Sequence, residues 1–337
     1  MFDFIPTEYF LLAFGLILLI KGGDMFVDAA SAIAKRFKLP ELLIGATVVS
    51  IGTTLPEVMT SAMGAMSGSG EIAYGNAIGS IICNTALIAA TTIAIKPGKA
   101  DKKTLIFPVS FFFVAAAFYA LNAYIGGGFE RWTGLVLLAG FVFYMVMNVI
   151  NMKKNPEAAD SEALAECEIA EQSKSSVGLI KDIAVLIAGA LLIALGAYLL
   201  VESATAIAEQ LHVPQSVIGL TVVAIGTSLP ELVTAITSLI KGHGALSLGN
   251  IIGANIFNLV LVSGAAITIS PFPVPENSLL FGQNASFILD IPVMFVVMAI
   301  MTLPALFKGK LSRWQGISLL GIYVAFMLMQ FVFVRAV

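Results

Sequence analysis

The sequence predicts an all-α polytopic membrane protein, ten transmembrane helices arranged as two inverted five-helix repeats. Three observations lead there. Of 337 residues, 58% are hydrophobic and 12% charged, about half the roughly 25% that coats a soluble domain, and mean hydropathy is +0.97. Ten apolar runs are long enough to cross a bilayer, at about 20 residues per crossing. The chain also repeats itself: residues 27–90 match 201–264 at a constant offset of 174, with 27 identities in 64 ungapped positions.

The spans of the first half are 8–34, 42–67, 71–95, 104–125 and 132–152; those of the second are 178–208, 216–241, 245–269, 286–307 and 313–334. The first run lacks a basic n-region and a small-residue cleavage site and continues into Lys21-Gly22-Gly23-Asp24, so it reads as a retained helix rather than a signal peptide. Residues 1–154 form the first repeat and 178–337 the second. Between them, 155–177 is the only long polar, acidic stretch, read as a flexible or partly helical cytoplasmic linker, with a regulatory cation site as the lesser alternative.

With the N-terminus outside, the inside loops collect Lys35, Arg36, Lys38, Lys96, Lys99, Lys102, Lys103, Lys153, Lys154, Lys174, Lys181, Lys241, Lys308, Lys310 and Arg313. Only Arg131 and Arg335 fall outside, and Lys21 lies within the first span. Basic residues concentrate in cytoplasmic loops, so ten spans with both termini outside are expected. Five spans separate equivalent points of the two copies. Five is odd, so the copies cross in opposite directions, and Lys35, Arg36 and Lys38 inside answer to Glu209, Gln210 and His212 outside. Inverted repeats with interrupted helices are the layout of secondary transporters, whose sites lie at the repeat interface near the midplane.

Some partners are set aside. Net charge is −3 with no dense basic block, so nucleic acid is not expected. Cys83 and Cys167 form no CxxC or Cys/His cluster, which removes a disulfide framework and a structural zinc site. No Ser/His, HExxH or paired catalytic Asp motif supports an intramembrane hydrolase, and neither a cofactor nor an obligatory protein partner is indicated.

The repeated segments carry the chemistry. IGATVVSIGTTLPEVMT (Ile44–Thr60) answers to IGLTVVAIGTSLPELVT (Ile218–Thr234), and GNAIGSIICN (Gly75–Asn84) to GNIIGANIFN (Gly249–Asn258). Glu57 and Glu231 sit near mid-span, where an ionisable group costs roughly 2.5–3.5 kcal/mol or more. A protonated glutamate in a helix contact is the plainer account of one such residue. Two at matching places in identical motifs, with no intramembrane Lys or Arg near them in sequence, point to a mobile cation. On a helix Ser50, Thr53, Thr54 and Glu57 share one face, as do Ala224, Thr227, Ser228 and Glu231. Pro56 and Pro230 each remove an amide donor and clash with the carbonyl four residues back, at Gly52 and Gly226, which frees backbone oxygens toward a ligand. Ser80 and Asn84, then Ala254 and Asn258, add a second face, while Gly75, Gly79, Gly249 and Gly253 are read as packing positions. Such all-oxygen ligands select hard cations, Ca²⁺ above all. His212 and His243, at span ends, are expected to be solvated. Asp28 and Glu202, repeat equivalents like Ser31 and Thr205, either line entry paths or face water near the membrane surface.

At GTTLPE (Gly52–Glu57) and GTSLPE (Gly226–Glu231), with the two GN…N segments following, the sequence resembles the Ca²⁺/cation antiporter superfamily, specifically the prokaryotic Na⁺/Ca²⁺ exchangers. The resemblance implies a ten-helix fold with an in-plane pseudo-twofold axis and alternating access by sliding of the first and sixth helices. It implies that Glu57 and Glu231 bind Ca²⁺ with the carbonyls of Thr53 and Thr227. Na⁺ sites would use the carbonyls of Ser50 and Ala224 together with Thr54, Ser228, Ser80, Asn84 and the same glutamates. Two positions depart from the archaeal pattern: Ala254 stands where it has Ser, and Asn258 where it has Asp. K⁺-dependent relatives use an acid at the latter, so Asn258 favours K⁺-independent exchange. The 155–176 stretch leaves no room for the large cytoplasmic Ca²⁺-sensing domains of animal exchangers. A Ca²⁺/H⁺ antiporter using the same glutamates is the nearest rival, since close carboxylates bind protons readily. A cation channel is the more distant one.

Overall fold

The computed structural model describes residues 7–36, 50–98, 100, 102–154, 178–229, 231–232, 235, 246–276 and 278–336. Among them, eight helices are long and apolar enough to cross a membrane: Thr7–Ala30, Gly70–Ile95, Leu105–Gly126, Arg131–Asn151, Leu179–Leu211, Ile251–Ile269, Ser286–Lys308 and Arg313–Phe333. Each coincides with an expected span. The expected linker, 155–177, lies outside the described residues, as do Cys167 and His243.

The two expected spans missing from that set are the ones that carry the GTTLPE and GTSLPE motifs. Helix α1 (Thr7–Arg36) leads to two short helices in line, α2 (Ser50–Thr53) and α3 (Leu55–Met66). Thr54 between them takes φ −85°, ψ −5°. Pro56 stands in the first turn of α3 and has no amide to offer Gly52, so the hydrogen-bond ladder lapses at that point. The second copy breaks at the equivalent residue, Ser228, with φ −85°, ψ 8°; Pro230 lies outside the described residues.

Helix α4 (Gly70–Cys83) runs through a π-helical turn, Asn84–Ala89, into α5 (Ala90–Ile95). Then come α6 (Lys102–Gly126), β1 (Gly128–Phe129), α7 (Arg131–Lys154) and α8 (Leu179–Leu211). The second interrupted span is α9 (Gln215–Ile218), a π-helical turn at Gly219–Val223, and α10 (Ala224–Thr227). Helix α11 (Leu246–Phe257) passes through a π-helical turn, Asn258–Val262, into α12 (Ser263–Ile269). Short strands β2 (Phe272–Pro273), β3 (Ser278–Leu280) and β4 (Gln283–Asn284) follow. A π-helical turn at Ser286–Asp290 opens α13 (Ile291–Lys308), and α14 (Arg313–Leu328) ends in another, Met329–Phe333, before β5 (Arg335–Ala336).

Packing repeats the internal symmetry. In the α1–α8 pair, a Cβ built on Gly15 would lie 2.9 Å from the Gly196 carbonyl oxygen, and one on Gly22 would lie 2.9 Å from that of Gly189. Gly15 and Gly189 are equivalents at the offset of 174, as are Gly22 and Gly196. Residue numbers rise along one helix as they fall along the other, so the pair is antiparallel, and only small residues let the backbones approach so closely. The rest of each half obeys the same rule. Val274 N–H donates to the Gly127 carbonyl (3.1 Å) and Ala100 N–H to that of Gly309 (3.0 Å); Gly127 and Gly309 both have φ +64°, the left-handed region open to glycine. Gly134 packs on Gly264 and Thr268, and Gly316 on Ala90 and Ala94.

These pairs match 127 with 309 and 134 with 316, an offset of 182, while 94 with 268 and 100 with 274 keep 174. The eight extra residues of the second half fall in the 275–285 stretch, which holds β3 and β4. There β3 pairs antiparallel with both β4 and β5. The spans Gly70–Ile95 and Ile251–Ile269 form the centre, 78% buried each, whereas the α1 and α8 spans are only 24% and 28% buried, at the edge.

Candidate functional site

The second interrupted span packs on α4 through residues 216–224, just before its break at Ser228. Gly75 and Gly79 on α4 make room: a Cβ on Gly75 would meet the Ser216 carbonyl at 2.6 Å, and one on Gly79 the Leu220 carbonyl at 2.5 Å. This is the packing role expected of them. A Cβ on Gly79 would also lie 2.8 Å from Ala224 Cβ. Residues 37–49 lie outside the described residues.

Glu57 is fully buried and Glu231 nearly so, 6% exposed. The two carboxyl groups are near enough to interact electrostatically. Ser228 reaches across from the other repeat, its Oγ donating to Glu57 Oε1 at 3.4 Å. Glu57 Oε2, Glu231 Oε2, Ser80 Oγ, both polar atoms of Asn84, and Asn258 Oδ1 are buried without a hydrogen-bond partner. Buried polar groups are nearly always paired, so these bare oxygens, contributed by both repeats, are the candidate ligand positions. Among the described residues no group of three or more His, Cys, Asp or Glu forms a conventional metal cluster. The donors are two carboxylates with neutral hydroxyl and amide oxygens.

Asn84 and Asn258 are repeat equivalents, and each opens a π-helical turn, a distortion that often accompanies functional positions. Thr54 is buried at the break. The Ala224 carbonyl accepts the Ser228 amide (3.1 Å), and Thr227 Oγ1 lies 3.3 Å from it. The side chains of Ser50 and Thr53 lie outside the described ones, though their backbone is helical.

Sequence reasoning passed over Asn76. Its Nδ2 donates to the Glu57 carbonyl (3.2 Å) and Ser61 Oγ (2.9 Å), while its Oδ1 accepts from Thr227 Oγ1 (3.0 Å). One buried amide thereby ties both interrupted spans together. The signal was available, because Gly75-Asn76 recurs as Gly249-Asn250. Asn255 was also missed. Its Nδ2 donates to Thr85 Oγ1 (2.7 Å) and its Oδ1 is bare, but its counterpart is Ile81, so the repeat could not flag it. Of the peripheral residues, Asp28 is half-buried, and Glu202 and His212 are exposed; Thr205 Oγ1 shares a hydrogen bond with Ser69 Oγ (3.3 Å). Cys83 is buried as a free thiol.

Among the described residues of this multi-pass helical membrane protein, unpartnered buried oxygens come from both interrupted spans and from the two central helices. Comparison with known proteins makes the class specific. The model of the sodium/calcium exchanger protein family matches residues 7–150 and 181–332. The sodium/calcium exchanger MaX1 of Methanosarcina acetivorans is 32% identical, over 97% of this chain and 99% of its own length. The inner membrane protein YrbG of Escherichia coli is 32% identical over 95% of both. A structure of the sodium-calcium exchanger NCX_Mj, soaked with 2.5 mM Na⁺ and 0.1 mM Ca²⁺, superimposes with a TM-score of 0.60 at 30% identity, covering 96% of this chain and 98% of that one. The chain belongs to the sodium/calcium exchanger family.

Proposed function

We propose that this protein exchanges Na⁺ for Ca²⁺ by alternating access, independently of K⁺, using one site shared by two inverted five-helix repeats. The observation that carries the reading is the set of unpartnered buried oxygens on Glu57, Glu231, Ser80, Asn84 and Asn258. Two carboxylates balance one divalent ion, and mixed carboxylate, amide and hydroxyl oxygens suit Ca²⁺. The carbonyls of Thr53 and Thr227 complete the Ca²⁺ site, and Na⁺ ions compete for the same carboxylates with Thr54, Ser228, Ser80, Asn84 and the carbonyls of Ser50 and Ala224 as neutral ligands. Each ion then displaces the other with no covalent step, and exchange needs only that ion-loaded forms change access more readily than empty ones. Asn258 brings an amide where a K⁺-requiring site would need a charge.

The inverted arrangement is supported by the family model matching two segments of similar length and by the equivalent contacts at offsets of 174 and 182. The α1–α8 pair, bound glycine to glycine at the edge of the molecule, is the element suited to slide as a unit against the centre. The charge asymmetry supports termini outside and the 155–177 linker in the cytoplasm. The test is ⁴⁵Ca²⁺ uptake into proteoliposomes. We expect uptake when the lumen holds Na⁺, none when it holds choline at matched pH, and no change on adding K⁺. Uptake driven only by a pH gradient would replace this reading with Ca²⁺/H⁺ exchange, and a strict K⁺ requirement would remove K⁺-independence.

A further inference from the structure

A second buried polar cluster lies apart from the glutamates. Tyr74 on α4, Ser286 and Asp290 at the two ends of the turn that opens α13, and Gln330 in the turn that closes α14 are all buried, at 0–1% exposure. Gln330 Nε2 donates to Asp290 Oδ1 at 2.6 Å. The Ser286 and Tyr74 hydroxyls lie within interaction reach of the same carboxyl group, but no hydrogen bond of 3.5 Å or shorter reaches Asp290 Oδ2, Gln330 Oε1, Ser286 Oγ or Tyr74 OH. Asp290 has no ion-pair partner among the described residues, where Lys21–Asp24 is the only short ion pair. At the offset of 182, Ser286, Asp290 and Gln330 answer to Thr104, Pro108 and Asn148, so the first half carries no acid there and the cluster is no part of the duplicated site. Asp290 and Gln330 both stand in π-helical turns, as do Asn84 and Asn258 of the exchange site.

We infer that Tyr74, Ser286, Asp290 and Gln330 form a second cation site, for an alkali ion, Na⁺ or K⁺. One carboxylate with three neutral oxygens balances a single positive charge. A divalent ion would leave net charge buried within the membrane-spanning helices, which is expensive. Tyr74 stands two residues from Asn76, so an ion held here touches the helix that ties both interrupted spans.

The test uses the full chain carrying Glu57→Gln and Glu231→Gln, which removes the exchange carboxylates; its failure therefore leaves the Na⁺/Ca²⁺ reading intact. We expect saturable binding of ²²Na⁺ or ⁸⁶Rb⁺ in a scintillation proximity assay, lost with Asp290→Asn. Tyr74→Phe, which keeps the ring, should weaken it about tenfold, the worth of one polar contact to a charged centre. Should Asp290→Asn fail to fold, infrared difference spectra of the double-glutamine protein decide. Adding Na⁺ or K⁺ should remove a protonated-carboxyl C=O stretch, and Tyr74→Phe should raise the concentration needed. Absence of saturable binding, or a carboxyl band indifferent to both ions, overturns the proposal and makes Asp290 a neutral hydrogen-bonded acid.

Discussion

Replacing Glu57 with Gln keeps the shape of the side chain and its contact with Ser228 Oγ (3.4 Å) while removing one of the two charges. At about 4 Å and an effective dielectric constant of about 20, a unit pair is worth about 4 kcal/mol, hence about 8 kcal/mol against a divalent ion. Full burial of Glu57 works against that gain. The free carboxylate repels Glu231 and is costly to keep ionised, so part of the attraction is spent on displacing whatever neutralises it. Discounting by half leaves about 4 kcal/mol for Ca²⁺ and about 2 kcal/mol for Na⁺, or ~1000-fold and ~30-fold in affinity. The ordering is firmer than either figure, because the Coulomb loss scales with ionic charge while the cost of ionising the carboxylate is common to both ions. Binding of ⁴⁵Ca²⁺ and ²²Na⁺ to purified Glu57→Gln and Glu231→Gln proteins, with uptake by proteoliposomes, measures both. Each variant should lose Ca²⁺ uptake and show a larger free-energy penalty for Ca²⁺ than for Na⁺. Near-normal exchange in either variant, or equal penalties for the two ions, would refute a carboxylate pair acting on one shared ion.

Two further outcomes follow from the packing. Asn76→Ala leaves the Glu57 carbonyl without its amide donor and unties Thr227 from α4; it should cost about 1–3 kcal/mol of stability and weaken Ca²⁺ binding, read by thermal unfolding and a binding isotherm. Gly22→Leu drives a side chain into the Gly189 backbone, where a Cβ already meets a carbonyl at 2.9 Å. It should slow turnover in proteoliposomes while leaving equilibrium Ca²⁺ affinity in detergent unchanged, and a large affinity loss instead would show that the α1–α8 pair shapes the site itself.

Composition and hydropathy alone determined that this chain lives in a bilayer, because lipid demands long apolar runs with internally paired backbone. The internal match selected the residues proposed to carry the chemistry. Gly, Pro, Glu and Asn at matching positions cannot arise from shared apolar composition, and an acid at mid-span costs too much to keep without a role. The repeat was legible only over the first three spans of each half. In the last two, the insertion between 274 and 309 shifts the register from 174 to 182, so an ungapped match misses Arg131-Trp132 against Arg313-Trp314 and Gly134 against Gly316. Tertiary contacts restored the correspondence, since Gly127 with Val274 and Gly309 with Ala100 make the same hydrogen bond at comparable length.

Asn76 shows the other boundary. Its recurrence with Gly75 was visible, but a sequence cannot say which of two asparagines on one helix faces a ligand and which ties helices. That depends on the close approach of Gly75 and Gly79 to the backbone of 216–220. Asp290 and Gln330, 40 residues apart and without repeat partners, meet only because α13 and α14 pack together at their ends. The linear pattern determines which residues a membrane will not tolerate unpaired; the crossing of the helices decides what each of them is paired with, because burial and distance are properties of the packed chain alone.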